Sequence, residues 1–60
     1  MASVDLHVKG KEVKVVHYNG VVSHVFECND LSMNSILSQL NKEIKKHDLD
    51  NYYVNDVIYL

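Results

Sequence analysis

The run Val13-Lys14-Val15-Val16-His17-Tyr18, the dipeptide Asn19-Gly20 and the run Val21-Val22-Ser23-His24-Val25-Phe26-Glu27-Cys28 follow one another without a break. Two β-branched segments separated by Asn-Gly predict an antiparallel hairpin, because a two-residue type I′ turn needs φ > 0 at both central positions. Counting outward from that turn opposes Tyr18 to Val21, His17 to Val22, Val16 to Ser23, Val15 to His24, Lys14 to Val25 and Val13 to Phe26. Opposed residues share a face. One face therefore takes Val13, Val15, His17, Val22, His24, Phe26 and Cys28. The other takes Glu12, Lys14, Val16, Tyr18, Val21, Ser23, Val25 and Glu27.

Upstream, Val4, Leu6 and Val8 alternate with polar residues, and Gly10-Lys11 suits a two-residue type II′ turn. That turn opposes Lys9 to Glu12, Val8 to Val13, Leu6 to Val15 and Val4 to His17. Both turns assign the apolar residues to one face, which argues for a three-strand antiparallel meander. After Cys28 the period changes. Ser32 is a good N-cap, Leu31 and Ile36 suit a hydrophobic staple, and Met33, Ile36, Leu37, Leu40 and Ile44 recur at helical spacing. Ser35, Gln39, Lys42, Glu43 and Lys46 are assigned to the polar side of that helix. Asp48 to Asn51 form its exit.

Tyr52 to Leu60 is aromatic and β-branched and reads as a final strand. Strict alternation puts Tyr52, Val54, Ile58 and Leu60 on one side and Tyr53, Val57 and Tyr59 on the other. The fold class expected is α+β: one domain over residues 1–60, in the order β-β-β-α-β. The helix packs on one face of the meander and a right-handed crossover sets the C-terminal strand beside the first.

Sixty residues with a single cysteine and no paired-cysteine motif bury little more than their conformational entropy costs. Self-association is the expected remedy. Net charge is slightly negative and all the basic residues are lysines, so the guanidinium fork used in bidentate phosphate and base recognition is missing. No apolar run suits a membrane span and Met1 to Asp5 do not resemble a signal peptide, so a cytoplasmic protein with a reduced thiol is expected.

No catalytic or metal-binding motif is present, and no cofactor or small-molecule substrate is expected. His17 and His24 are diagonal neighbours that lack a third ligand, and they read as imidazoles at the sheet margin. His7 and His47 read as solvated. Cys28 reads as a small core residue rather than an activated thiol. An enzyme is not expected, since so short a chain scarcely encloses a cleft.

The anomaly is the sheet face away from the helix, which carries Val16, Tyr18, Val21 and Val25 and to which the last strand adds either Tyr53, Val57 and Tyr59 or the companion set. Contiguous apolar surface rimmed by Lys and Glu marks an interaction site. These seven residues are the candidate protein interface, and the partner expected is a second copy or another protein. The function expected is a small non-enzymatic module that self-associates or masks a partner. A composition with Asn, Lys, Ile and Tyr but no Pro and no Arg suits a phage or mobile-element accessory or inhibitor protein. The alternative is a nucleic-acid-binding protein using lysines and tyrosines on the sheet, although Glu12, Glu43, Asp48 and Asp50 dilute the positive field.

Overall fold

The computed structural model describes all residues from Met1 to Leu60. Its elements are β1 (Ala2–Lys9), β2 (Glu12–His17), β3 (Val22–Glu27), α1 (Met33–Lys46) and β4 (Tyr52–Tyr59). They form one four-stranded sheet in the order β3-β2-β1-β4 with the helix on one face, so the α+β class and the β-β-β-α-β order expected are found. β1 pairs antiparallel with β2 and parallel with β4. The last strand thus lies beside the first.

Central β1 carries the core. Val4, Leu6 and Val8 are buried together with Val13 and Val15 of β2, Phe26 of β3, Cys28, and Ile36 and Leu40 of the helix. Leu31, Leu37, Ile44, Tyr52, Val54 and Val57 close its margins. The β1–β2 register matches the counted one, from Lys9 opposite Glu12 to Val4 opposite His17. Only Gly10 of the two turn residues has positive φ, as a type II′ turn requires.

The second turn differs from the expectation. Gly20 N–H donates to the His17 carbonyl at 2.8 Å and His17 N–H to the Val21 carbonyl at 2.8 Å, so the loop has three residues, Tyr18-Asn19-Gly20. Gly20 takes φ +86 whereas Asn19 does not enter the positive region, which is a type I turn closed by a glycine bulge rather than type I′. The extra loop residue sets Val16 opposite Val22, not Ser23. A second irregularity, between Val15 and Val16, then leaves Ser23 as an unpaired residue of β3. The two shifts cancel. Beyond them Val15 faces His24, Lys14 faces Val25 and Val13 faces Phe26, as counted.

β4 carries a comparable bulge. Val4 pairs with Val54 but Asp5 with Asp56, so Asn55 is the extra residue. The strict alternation expected for this strand therefore breaks in its middle. Tyr52 and Val54 share the helix side with Val57 and Tyr59, while Tyr53, Asp56 and Ile58 face away.

The helix begins as its sequence suggests. Ser32 is the N-cap, its Oγ accepting from Ser35 N–H at 3.4 Å, and Asp30 Oδ1 accepts from Ser32 N–H at 3.0 Å. The hydrogen bond from Ser32 N–H first, and then those from the Ser35 and Ser32 side chains, hold the Asp30 carboxyl below its ordinary pKa. At the other end His47 is the C-cap, Asp48 takes φ 52, and Leu49 N–H reaches back to the Ile44 carbonyl at 2.9 Å. This Schellman-type turn satisfies late carbonyls and fixes where His47 leaves the helix.

Candidate functional site

The bulges redistribute the seven interface candidates. Val16 and Val25 do face away from the helix, on β2 and β3. Tyr18 is not in the sheet. It occupies the hairpin loop and is 99% exposed. Val21 lies across from His17 at the helix-side margin, because the three-residue loop shifts it by one position, and Val22 takes the outward place opposite Val16. Tyr53 faces outward and is exposed. Val57 instead packs against the core, and Tyr59 donates its hydroxyl to the Leu31 carbonyl at 2.8 Å on the helix side. Both corrections have one cause, the extra residue Asn55, which flips every later side chain of β4.

The outward face that results is uneven. Half-buried Val16 lies beside Val22 and Val25, which are 45% and 44% exposed. Lys14 sits opposite Val25, and Glu12 and Glu27 oppose each other at the end of the pair. The next strand, β1, presents Asp5 opposite Val16 and His7 opposite Lys14, so a polar ridge separates the three valines from Tyr53 and Ile58 on β4. The patch belongs to β2 and β3.

Both edges are protected. β3 carries its bulge at Ser23 and β4 carries Asn55 and Asp56, and such irregularities discourage strand addition. The exposed valines thus lie on a sheet face, not along an edge.

On the helix side the structure assembles a constellation absent from the sequence reading. His24 of β3, Glu43 of α1 and the C-cap His47 bring one ligand atom each within 4.8 Å of one another. His24 Nε2 lies 2.9 Å from Glu43 Oε1, and His47 Nε2 lies 3.6 Å from the same oxygen. Gln39 donates to Glu43 Oε2 at 3.4 Å. The two imidazole rings tilt against each other with centroids 5.1 Å apart. Glu43 is only 9% exposed, contrary to its assignment to the polar side of the helix, and His47 is 45% exposed with a partner set that the sequence reading denied it. The hydrogen bond from His24 holds the Glu43 carboxyl below its ordinary value, with desolvation opposing and the charges and donors of His47 and Gln39 assisting.

A signal for this cluster exists in the helix spacing. Ile36, Leu40, Glu43 and His47 follow one another at intervals of four, three and four, which is one continuous helical face. Glu43 is therefore in line with two core residues. His24 joins because Ser23, the extra residue, and His24 both lie on the helix side. Ser23 Oγ and the Tyr52 hydroxyl are 3.1 Å apart there. His17 on the same side stands edge-to-face with Tyr52 at 6.0 Å rather than with His24 as a metal pair.

Cys28 is buried, and its Sγ donates to the Asp30 carbonyl at 3.0 Å. A wide depression of about 380 Å³ runs beside it between Asn29 and Lys42, and Cys28 is its only hydrophobic lining residue. No helix is long and apolar enough to cross a membrane. Comparison with protein-family models, with curated proteins and with solved structures finds no match to the chain.

Proposed function

We propose that the protein is a non-enzymatic protein-binding module whose partner is a second copy of itself, docked through the outward face of β2 and β3. One observation carries this reading: Val16, Val22 and Val25 stand side by side on the sheet surface that the helix does not cover. Covering half-exposed valines recovers about 1 kcal/mol each, a useful increment for a fold whose buried apolar core is nine residues. The rim favours a like partner. Lys14 is flanked by Glu12, whose Oε1 lies 3.7 Å from its Nζ, and by Glu27, so the rim offers both signs of charge to a second copy.

Two further features support a binding rather than a catalytic role. The largest depression is polar and wide, whereas sites for small substrates are enclosed and mostly apolar. The lysines do not form one stripe either. Lys11 lies beside Cys28, close to the start of the helix, while Lys45 and Lys46 lie at the helix end. Tyr52 and Tyr59 have hydroxyls engaged on the helix side, so they do not share one face with Tyr53 as a stacking platform for bases would require.

Sedimentation analysis tests the proposal. The parent should be a dimer in the micromolar range, with a melting temperature that rises with concentration. Val22→Lys with Val25→Glu should give a folded monomer. A parent that is monomeric at high micromolar concentration, or a double variant that still dimerises, overturns the reading.

A further inference from the structure

We propose that His24, Glu43 and His47 form a binding site for a divalent transition-metal ion of the zinc type, with three protein ligands and a fourth position open to solvent. The donors come from two elements that the fold locks together, the bulged edge of β3 and the last turn of α1. In tetrahedral zinc sites the bonds are about 2.0–2.2 Å, which places neighbouring ligand atoms about 3.3 Å apart. The separations of 2.9 Å and 3.6 Å to Glu43 Oε1 bracket that figure, and the whole set lies within 4.8 Å.

Ligand chemistry selects the ion. Two imidazoles and one carboxylate suit zinc, cobalt or nickel and are poor partners for magnesium or calcium, which prefer oxygen throughout. The second carboxylate oxygen is already held by Gln39, the outer-shell anchoring that orients metal-binding carboxylates. The Schellman-type turn at Asp48 and Leu49 fixes the backbone of His47, so its ring swings from a rigid support. Half exposure of His47 leaves an entry path and room for a water ligand.

Binding replaces hydrogen bonds within the cluster, and water ligands of the ion, by coordinate bonds from the three side chains. In the metal-free protein the His24 Nε2–H donates to Glu43 Oε1. On coordination that proton moves to Nδ1, the Nε2 lone pair turns to the ion, and Glu43 offers a carboxylate oxygen. A self-sufficient hydrogen-bond network is the rival explanation, since no buried polar side-chain atom lacks a partner. The two differ in what zinc does.

Metal-stripped protein should bind one zinc ion per chain in titration calorimetry. Its melting midpoint should rise by roughly 10–20 °C once free zinc exceeds the dissociation constant about a hundred-fold. Magnesium at the same concentration should leave the midpoint unchanged. Cobalt(II) should show visible bands of a tetrahedral centre without a thiolate charge-transfer band, which separates this site from Cys28. His47→Ala and His24→Gln, each measured as protein that is folded without metal, should each lose at least about tenfold in zinc affinity. Absence of saturable binding, or unchanged affinity in both variants, overturns the proposal. The Val22→Lys, Val25→Glu protein provides the last separation, because its altered face lies across the sheet from the imidazoles. It should bind zinc like the parent, and loss of binding there would reassign the ion to an interface.

Discussion

The β1–β2 hairpin and the two edge strands obey different rules. In the hairpin every paired residue from Val4 to His17 lies where counting from Gly10-Lys11 places it, and the core residues Val4, Leu6, Val8, Val13 and Val15 keep strict alternation. In β3 and β4 one extra residue each, Ser23 and Asn55, reverses the faces on one side of it. A central strand is paired on both sides, so an unpaired residue there breaks two ladders. At an edge it breaks one and also deters a foreign strand. Regularity is thus strongest where the core is.

The largest expected effect follows from that contrast. Leu6→Ala, at the fully buried middle of β1, should destabilise by about 2–5 kcal/mol, whereas Ile58→Ala on the outward side of β4 should cost about 1 kcal/mol or less. Equal losses in denaturant titrations of the two variants would remove the distinction between centre and edge.

The hairpin loop comes next. Gly20→Val should cost about 1–3 kcal/mol, since φ +86 is strained for a β-branched residue although no atom stands within 4 Å of the added Cβ. Asn19→Ala should cost less than about 1 kcal/mol, the loss being its 3.2 Å acceptance from Val21 N–H. A type I′ turn would penalise both positions, so two comparable losses would restore the two-residue loop and its register.

Acid should loosen the helix from β3. The Glu43 carboxyl lies below its ordinary value of 4.5 because His24 donates to it. A depressed carboxylate stabilises the fold fully above its unfolded value, and this is lost as pH falls through the folded one. Thermal midpoints should therefore drop on going below about pH 4.5, and Glu43→Gln should flatten that part of the profile. A variant with the parent's acid profile would mean that Glu43 does not couple β3 to the helix.

Physical reasons separate what could be read from what could not. The helix start at Ser32, the core set Val4, Leu6, Val8, Val13, Val15, Phe26 and Leu40, and the place of β4 follow from periodicity and turn chemistry, which are local. Bulges are not local, because whether Ser23 or Asn55 pairs depends on the neighbouring strand. Even so, Tyr52, Val54, Val57 and Tyr59 spaced two, three and two, with Asn55-Asp56 in the gap, carry the trace of a bulge. The imidazole–carboxylate cluster was hidden for a second reason. Charge assigned Glu43 to solvent, whereas its spacing from Ile36 and Leu40 assigned it to the core face.

The smallest effect sharpens the comparison most. Asn55 opposes no residue of β1, so deleting it leaves Val54 beside Val4 and brings Asp56 next in line against Asp5, with Val57 and Tyr59 still on the helix side. The deletion loses the 3.3 Å hydrogen bond from the Asn55 amide to Asp5 Oδ1 and leaves Asp5 and Asp56 facing each other. A single exposed hydrogen bond amounts to about 1 kcal/mol or less, and the Asp5–Asp56 pair is already present in the parent. Were the strand regular instead, the same deletion would turn Val57 and Tyr59 to the opposite face, strip the core of its β4 margin and cost several times more. Hydrogen exchange at Leu60 N–H, which donates to the Val8 carbonyl at 2.8 Å, reads the outcome directly. Protection retained in the deletion variant identifies Asn55 as the extra residue, and protection lost returns the strand to strict alternation.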